Sequence, residues 1–436
     1  MSEAQPSGYG RLDAARPRQE RELDARKGNP LGGGRTLAAD IEAAARFGAT
    51  PSGGVDRQAW TAELARATEW VADELRRLEL EVALDPAGNL IARWPAPDGP
   101  AVMVGSHLDT VPNGGAFDGT LGVLCAVDAV RRLRRERFAP RRPIWIAAFM
   151  DEEGARFGTA LFGSRAFCGE DMTAALDRTD ASGRSMREAI AAYGLDPDRL
   201  RDAAAVDAVG DYLELHIEQG PVLWHSGERL AVVESIAGVL GFLVHVHGTA
   251  NHAGTTPMEL RRDALLGAAR MVVALNEAAA RDDGIRLTVG AVTARPGARN
   301  VIAGECSFTV DLRVARPHEF EARQAWLRRA VEQVAADGGL EVDIQRDYAL
   351  EPATMDPAVV TTIEAAAREA GVEPVRMVSG AGHDAMVVAR HARAGMLFVP
   401  SERGISHSPE ERTAVGDCEL GARVLAGAIR RLAGPT

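Results

Sequence analysis

Along this chain, short apolar runs that stop at polar clusters alternate with stretches of helical spacing, and few architectures accommodate that alternation. AVMVGSH ends at His107, IWIAAFMDEE at Glu153 and MLFVPSERGISH at His407, whereas DYLELHIEQG alternates polar and apolar positions up to Gly220. Between these runs, TAELARATEWVADELRRL sets Leu64, Ala67, Trp70, Val71, Leu75 and Leu78 near helical spacing, and LGVLCAVDAVRRL reads as another helix. Strand-length and helix-length patterns in alternation predict an α/β fold with a mostly parallel core. The segment from about Thr36 to Leu80 is predicted to be helical.

The pattern changes after about Ser235. From Gly238 to about Tyr348 it reads strand, helix, strand, strand, helix, strand: FLVHVHG, ELRRDALLGAARMVVALNEAAA, IRLTVGAVTA, ECSFTVDLRV, HEFEARQAWLRRAVEQVAADG and LEVDIQR. That β-α-β-β-α-β order is expected to form a ferredoxin-like α+β insert. The chain has 436 residues, more than the ~250 to 300 that one core usually serves. The expected division is a flexible leader over 1–35, a first domain over 36–237, the insert over 238–349, and the rest of the first domain over 350–436.

Composition excludes several functions. A formal net charge of -12 offers no basic footprint for nucleic acid. No apolar run reaches the ~20 residues needed to cross a bilayer, and the leader lacks the apolar core of a secretory signal. The expected location is therefore cytoplasmic, with no membrane partner. Cys125, Cys168, Cys306 and Cys418 are too scattered for a zinc finger or a disulfide framework, and are expected to be reduced and buried. Lys27, in the leader, is the only lysine, which argues against Schiff-base, pyridoxal phosphate and P-loop chemistry.

His107 and Asp118 stand eleven residues apart, and Asp151, Glu152, Glu153, His216 and His407 follow. Any one of these could be an ordinary satisfied polar side chain, and an acidic triplet is usually a solvated turn. Jointly, imidazoles and carboxylates near strand ends suit a divalent ion that polarises a carbonyl and acidifies water. Massed carboxylates beside an apolar strand are costly unless a cation compensates them. Two adjacent glutamates can then divide the labour, one binding metal and the other holding a proton. Asp109 is placed to accept the second imidazole N–H of His107. Hydrolysis is the chemistry these residues favour. His245 and His247 lie two apart on one strand face without a third ligand and read as structural; His225, His318 and His391 stay unassigned.

The motifs GSHLDTVPNGGAFDGTLGVL, DEEGARF, LELHIEQGPVL, NHAGTTPM, SGAGHDA and GISHSPEE together resemble the hydantoinase/carbamoylase branch of the M20 di-zinc amidohydrolases, from about Leu37 to the C-terminus. That branch includes N-carbamoyl-L-amino-acid hydrolases, β-ureidopropionases and allantoate amidohydrolases. The resemblance implies a zinc-peptidase-like catalytic domain with an inserted lid and dimerisation domain, and hence a homodimer. It implies two divalent ions, Zn or else Mn or Co, held by His107, Glu153, His216 and His407 with Asp118 bridging.

On the same resemblance, Glu152 is the general base, and His252 faces the substrate carbonyl, in part from a neighbouring subunit. Asn300 matches a lid asparagine, although Ala303 replaces an expected proline, and Arg313 matches an arginine that clamps the substrate carboxylate. Gln219 is a further expected partner for the ureido or carboxylate group, while His383 and Asp384 have no role that chemistry alone assigns. The histidine at 216, where related peptidases carry aspartate, points to ureido substrates such as an N-carbamoyl amino acid or allantoate, with ammonia and carbon dioxide released. An aminoacylase or dipeptidase, or an inactive binding protein on the same fold, is the alternative.

Overall fold

Strands that read as continuous apolar runs need cover on both faces, and the first sheet supplies it. The computed structural model describes residues 35–434, so the expected leader, Lys27 included, lies outside the described residues apart from Arg35. Ile144–Phe149, Ala101–His107, Val209–Ile217 and Arg393–Val399 lie side by side in that order, each parallel to its neighbour. Every residue of Ala101–His107 is buried. Glu81–Leu84 and Leu90–Trp94 extend one side of this core, and Ala231–Ile236 the other, with antiparallel pairing.

DYLELHIEQG alternates in sequence, yet its strand is not half-exposed. Tyr212, Glu214 and His216 are as buried as Leu213, Leu215 and Ile217. The polar face is satisfied internally: Glu214 accepts hydrogen bonds from the Ser106 hydroxyl at 2.8 Å, the Tyr212 hydroxyl at 3.2 Å and the Ala385 N–H at 2.8 Å.

The helix Thr120–Arg135 follows Ala101–His107 and returns the chain to the parallel strand Ile144–Phe149. It is buried from Thr120 through Arg131, and its last turn carries Arg132, Arg134 and Arg135, where cations suit the helix dipole. The segment expected to be helical from Thr36 to Leu80 forms two helices instead, Leu37–Ala44 and Ala62–Arg77, capped by the Thr36 and Thr61 hydroxyls. Gly48, and then the turn residues of TPSGG with Gly53, break the helix between them, both glycines at positive φ.

The described chain divides into two compact units. The first runs through Glu234 and resumes over Met355–Met377 and from His383; the second comprises Ser235–Thr354 and Val378–Gly382. In the second unit Gly238–His247 lies between Glu305–Val314 and Glu341–Leu350, with Ile285–Thr288 and Val292–Arg295 beyond Glu305–Val314, all antiparallel. Helices Ala264–Ala279 and Phe320–Asp337 complete a ferredoxin-like α+β arrangement. Its core alternates as a one-faced sheet should: Leu240, Phe242, Val244 and Val246 are buried with Phe308, Val310, Leu312, Leu275 and Leu327. The run IRLTVGAVTA is two strands, interrupted where Thr309 exchanges hydrogen bonds with Ala291. Among the described residues, no helix is long and apolar enough to cross a membrane.

Candidate metal centre

The carboxyl ends of the parallel strands bring the first unit's candidates together, as open α/β sheets do. His107 is the last residue of its strand and His216 the penultimate residue of the adjacent one. Glu152 and Glu153 follow Ile144–Phe149 through Asp151, whose φ of 58° turns the chain back. Asp118 precedes Gly119, the N-cap of Thr120–Arg135. His407 lies in the loop after Arg393–Val399 with φ 55°. Non-glycine residues at positive φ are strained, and such strain gathers at functional sites.

Two donor groups result, His107–Asp118–His216 and Asp118–Glu153–His407, each with ligand atoms within 4.8 Å of one another. Asp118 belongs to both. Its Oδ1 lies 3.2 Å from His216 Nε2 and 3.8 Å from His107 Nε2, and its Oδ2 lies 3.0 Å from His407 Nε2. The buried histidines are oriented by main-chain carbonyls: His107 Nδ1 donates to Asp109 O at 3.0 Å and His216 Nδ1 to Ile217 O at 2.9 Å. A carbonyl can only accept, so both Nε2 atoms are presented as ligand atoms. The Asp109 carboxylate, expected to take that His107 proton, lies 3.7 Å from Nδ1 and accepts instead the N–H groups of Glu152 and Glu153, each at 3.2 Å. It thereby fixes the main chain of the two glutamates. The Glu152 carboxylate belongs to neither donor group and stands 3.7 Å from His107 Nε2.

The charges show what this arrangement suits. Burial pushes Glu152 well above the usual carboxylate range, with Glu153 adding to the shift, and burial together with Asp118 pushes Glu153 up to about 8. Burial would also raise Asp118, but hydrogen bonds with His216 and His407 outweigh it and hold that carboxyl well below its ordinary value. Hydrogen bonding to Asp118 in turn carries His407 to about 9, and overcomes burial at His216 to the same value. Among the described residues, Glu153 Oε1 is buried with no hydrogen-bond partner, although His407 Nε2 lies 3.5 Å away. Nitrogen and oxygen donors around excess buried negative charge fit divalent cations.

Gln219, at φ 58°, sits inside this cluster, its Nε2 2.9 Å from Asp118 Oδ2 and 3.2 Å from His407 Nε2. His383 is buried with its ring 4.5 Å from that of His216, and burial with His216 beside it holds it well below the ordinary histidine range. Asp384 is fully buried at the start of Asp384–Val388. Two buried residues that sequence reasoning passed over also serve the site. Arg57 donates to Leu108 O at 3.0 Å and Thr120 Oγ1 at 2.6 Å, and Glu411 accepts the Asp118 N–H at 3.0 Å. Glu411 closes the GISHSPEE motif, but no pattern pairs it with Phe117 and Asp118, and none pairs Arg57 with Leu108 and Thr120, because these partners are distant in sequence.

His252, Asn300 and Arg313 belong to the second unit. A small ladder pairs Asn251–His252 with Val301–Ile302, and Ala253 N donates to Asn300 O at 2.9 Å, so His252 and Asn300 are held together. The N–H of Gly254 donates to His252 Nδ1 at 3.1 Å, which leaves the proton of the neutral ring on Nε2. Arg313 is engaged by Asp311 at 3.0 Å and by Gly380 O at 2.7 Å. His245 is half-buried and His247 exposed, and neither belongs to a donor group among the described residues.

Residues 103–431 match the model of peptidase family M20/M25/M40. The chain belongs to this family. Among M20 relatives, it is 41% identical over 391 residues to an N-carbamoyl-L-amino acid amidohydrolase of Geobacillus stearothermophilus, covering 88% of this chain and 95% of that protein. It is 36% identical to an allantoate amidohydrolase of Bacillus subtilis, covering 90% and 96%. A solved amidase of the hydantoinase/carbamoylase family from Burkholderia multivorans superposes with a TM-score of 0.83 at 35% identity, over 92% of this chain and 98% of that one.

Proposed function

We propose that this M20 protein is a metal-dependent amidohydrolase that cleaves the linear carbamoyl or ureido C–N bond of a carboxylate-bearing small molecule, of the N-carbamoyl-L-amino acid or allantoate type, releasing ammonia and carbon dioxide. The observation that carries this reading is the pair of donor groups sharing Asp118, with the Glu152 carboxylate beside them and in neither. The relatives named for N-carbamoyl-L-amino acids and for allantoate supply the substrate class.

On this reading His107, Asp118 and His216 hold one divalent ion and Asp118, Glu153 and His407 a second, Zn or else Mn or Co. Ions bound there polarise the carbamoyl carbonyl and acidify water. Glu152 takes the proton of the attacking water and delivers it to the leaving nitrogen; Asp109 holds Glu152 in place through its N–H. His252 Nε2–H donates to the oxyanion that develops on the carbonyl oxygen. Arg313 and Asn300 orient the substrate carboxylate, for which Arg313 exchanges Asp311, and Gln219 orients the ureido group. One water splits R–NH–CO–NH₂ to R–NH₂ and carbamate, which falls to ammonia and carbon dioxide. The proposal includes a homodimer acting in the cytoplasm, a reducing compartment that suits four free buried cysteines.

The test is a panel of N-carbamoyl amino acids, allantoate, N-acyl amino acids and dipeptides under added Zn, Mn or Co. Turnover confined to dipeptides or N-acyl amino acids would reject the substrate class. Glu152→Gln is expected to retain bound metal and lose about 10² to 10⁴ in kcat; equal activity in variant and parent would remove Glu152 from its role.

A further inference from the structure

His107 and His216 are seated in adjacent strands of the sheet, but Asp118 and His407 are not. They project from loops far apart in sequence, and hydrogen bonds between main-chain groups do not explain why the two loops keep their spacing. Glu411 does. Its Oε1 accepts the N–H groups of Phe117 at 2.9 Å and Asp118 at 3.0 Å, while its Oε2 accepts the Ser406 hydroxyl at 2.8 Å and the His407 N–H at 3.3 Å. One side chain, 3% exposed, thus spends one oxygen on each ligand-bearing loop. The space it needs is reserved: a Cβ built on Gly115 would collide with Glu411 Oε1. His407 is half-exposed and at positive φ, and its main-chain N–H is fastened by this contact while its ring meets Asp118 at 3.0 Å and Gln219 at 3.2 Å.

We infer that Glu411 is a positioning residue that sets the distance between Asp118 and His407, and so governs the Asp118–Glu153–His407 cation position more than the His107–Asp118–His216 position. The inference rests on the two-ion reading above. A carboxylate is required because all four partners are donors; an amide has one accepting oxygen and would turn its NH₂ towards two of them.

The experiment titrates the metal-free full-length protein with Co(II), followed by visible absorption and calorimetry, for the parent, Glu411→Gln, Gly115→Ala and Glu410→Gln. The parent and Glu410→Gln are expected to take up two ions. Glu411→Gln is expected to keep one affinity near the parent's and weaken the other by about 10- to 100-fold, as loss of a group that orients a ligand does. Its titration should resemble that of His407→Ala and not that of His216→Ala. Gly115→Ala, which displaces the same carboxylate without removing it, should show the same selective weakening, and thermal melting establishes that each variant is folded. Two unchanged affinities, or equal weakening of both, in folded Glu411→Gln and Gly115→Ala would overturn the inference alone. A parent that binds a single ion would overturn the two-ion reading and the inference with it.

Discussion

At the scale of residues, the centre depends on small exclusions as much as on ligands. Gly119 combines φ 58° with a position where any Cβ would collide with the His107 ring. Gly119→Ala is therefore expected to displace His107 and cost on the order of 10²-fold in kcat/KM, the penalty of roughly 1 Å of misplacement at a reacting site. Metal content measured beside kinetics checks it; unaltered values for both would contradict the geometry. Protonation gives a second expectation. Without a cation, Glu153 titrates near 8 and His216 and His407 near 9, all raised, so at neutral pH the donor groups hold protons that a cation must displace. Affinity should accordingly rise as pH rises towards 9 and fall as pH falls, with protons released on binding at pH 7. Calorimetry in buffers of different ionisation enthalpy measures that release, and none would be seen if the ligands were already deprotonated. The candidates were legible only jointly, because each alone is an ordinary polar side chain, and the structure brings His107, Asp118, Glu153, His216 and His407 into two donor groups. The contact expected between Asp109 and His107 exists through the Asp109 main-chain oxygen and not its carboxylate, because two residues of separation do not say which oxygen faces the ring.

At the scale of elements, the strands were legible wherever an apolar run ended in a polar cluster. The fastening between elements was not. Arg57 is fully buried and ties Leu108, just beyond the Ala101–His107 strand, to Thr120 at the start of the next helix, and donates also to Ala44 O at 2.7 Å and Phe47 O at 3.2 Å. Burial lowers it to about 10, which leaves it charged at neutral pH. Arg57→Ala strands these acceptors and is expected to cost about 3 kcal/mol or more, read as a lower denaturation midpoint at unchanged slope. Arg57→Lys should recover little, since an ammonium cannot reproduce the fork; a midpoint equal to the parent's in either variant would discard this role. The helix expected over Thr36–Leu80 shows the complementary limit: helical spacing around Trp70 was real, but the turn residues at 51–54 ended its reach.

At the scale of the whole molecule, the donor groups lie entirely in the first unit, while His252, Asn300 and Arg313 belong to the second. His252→Ala should therefore leave metal content unchanged and lower kcat by about 10² to 10³, the loss typical of one oxyanion donor; loss of metal, or kinetics equal to the parent's, would contradict its proposed role. Sedimentation tests the proposed dimer, and a fully active monomer would remove it.

By itself the sequence determined the periodicities, hence an α/β core and an α+β insert, and it carried the residue types that a hydrolytic metal site requires. Those are local properties, since pleat and helix repeat every few residues. Only tertiary structure decided that Asp118 serves two donor groups, that Glu152 stands in neither, that Glu411 joins two loops, and that Val378–Gly382 belongs with the second unit. Such facts depend on side chains and main-chain donors brought together across hundreds of residues, and a linear pattern does not encode which distant groups meet.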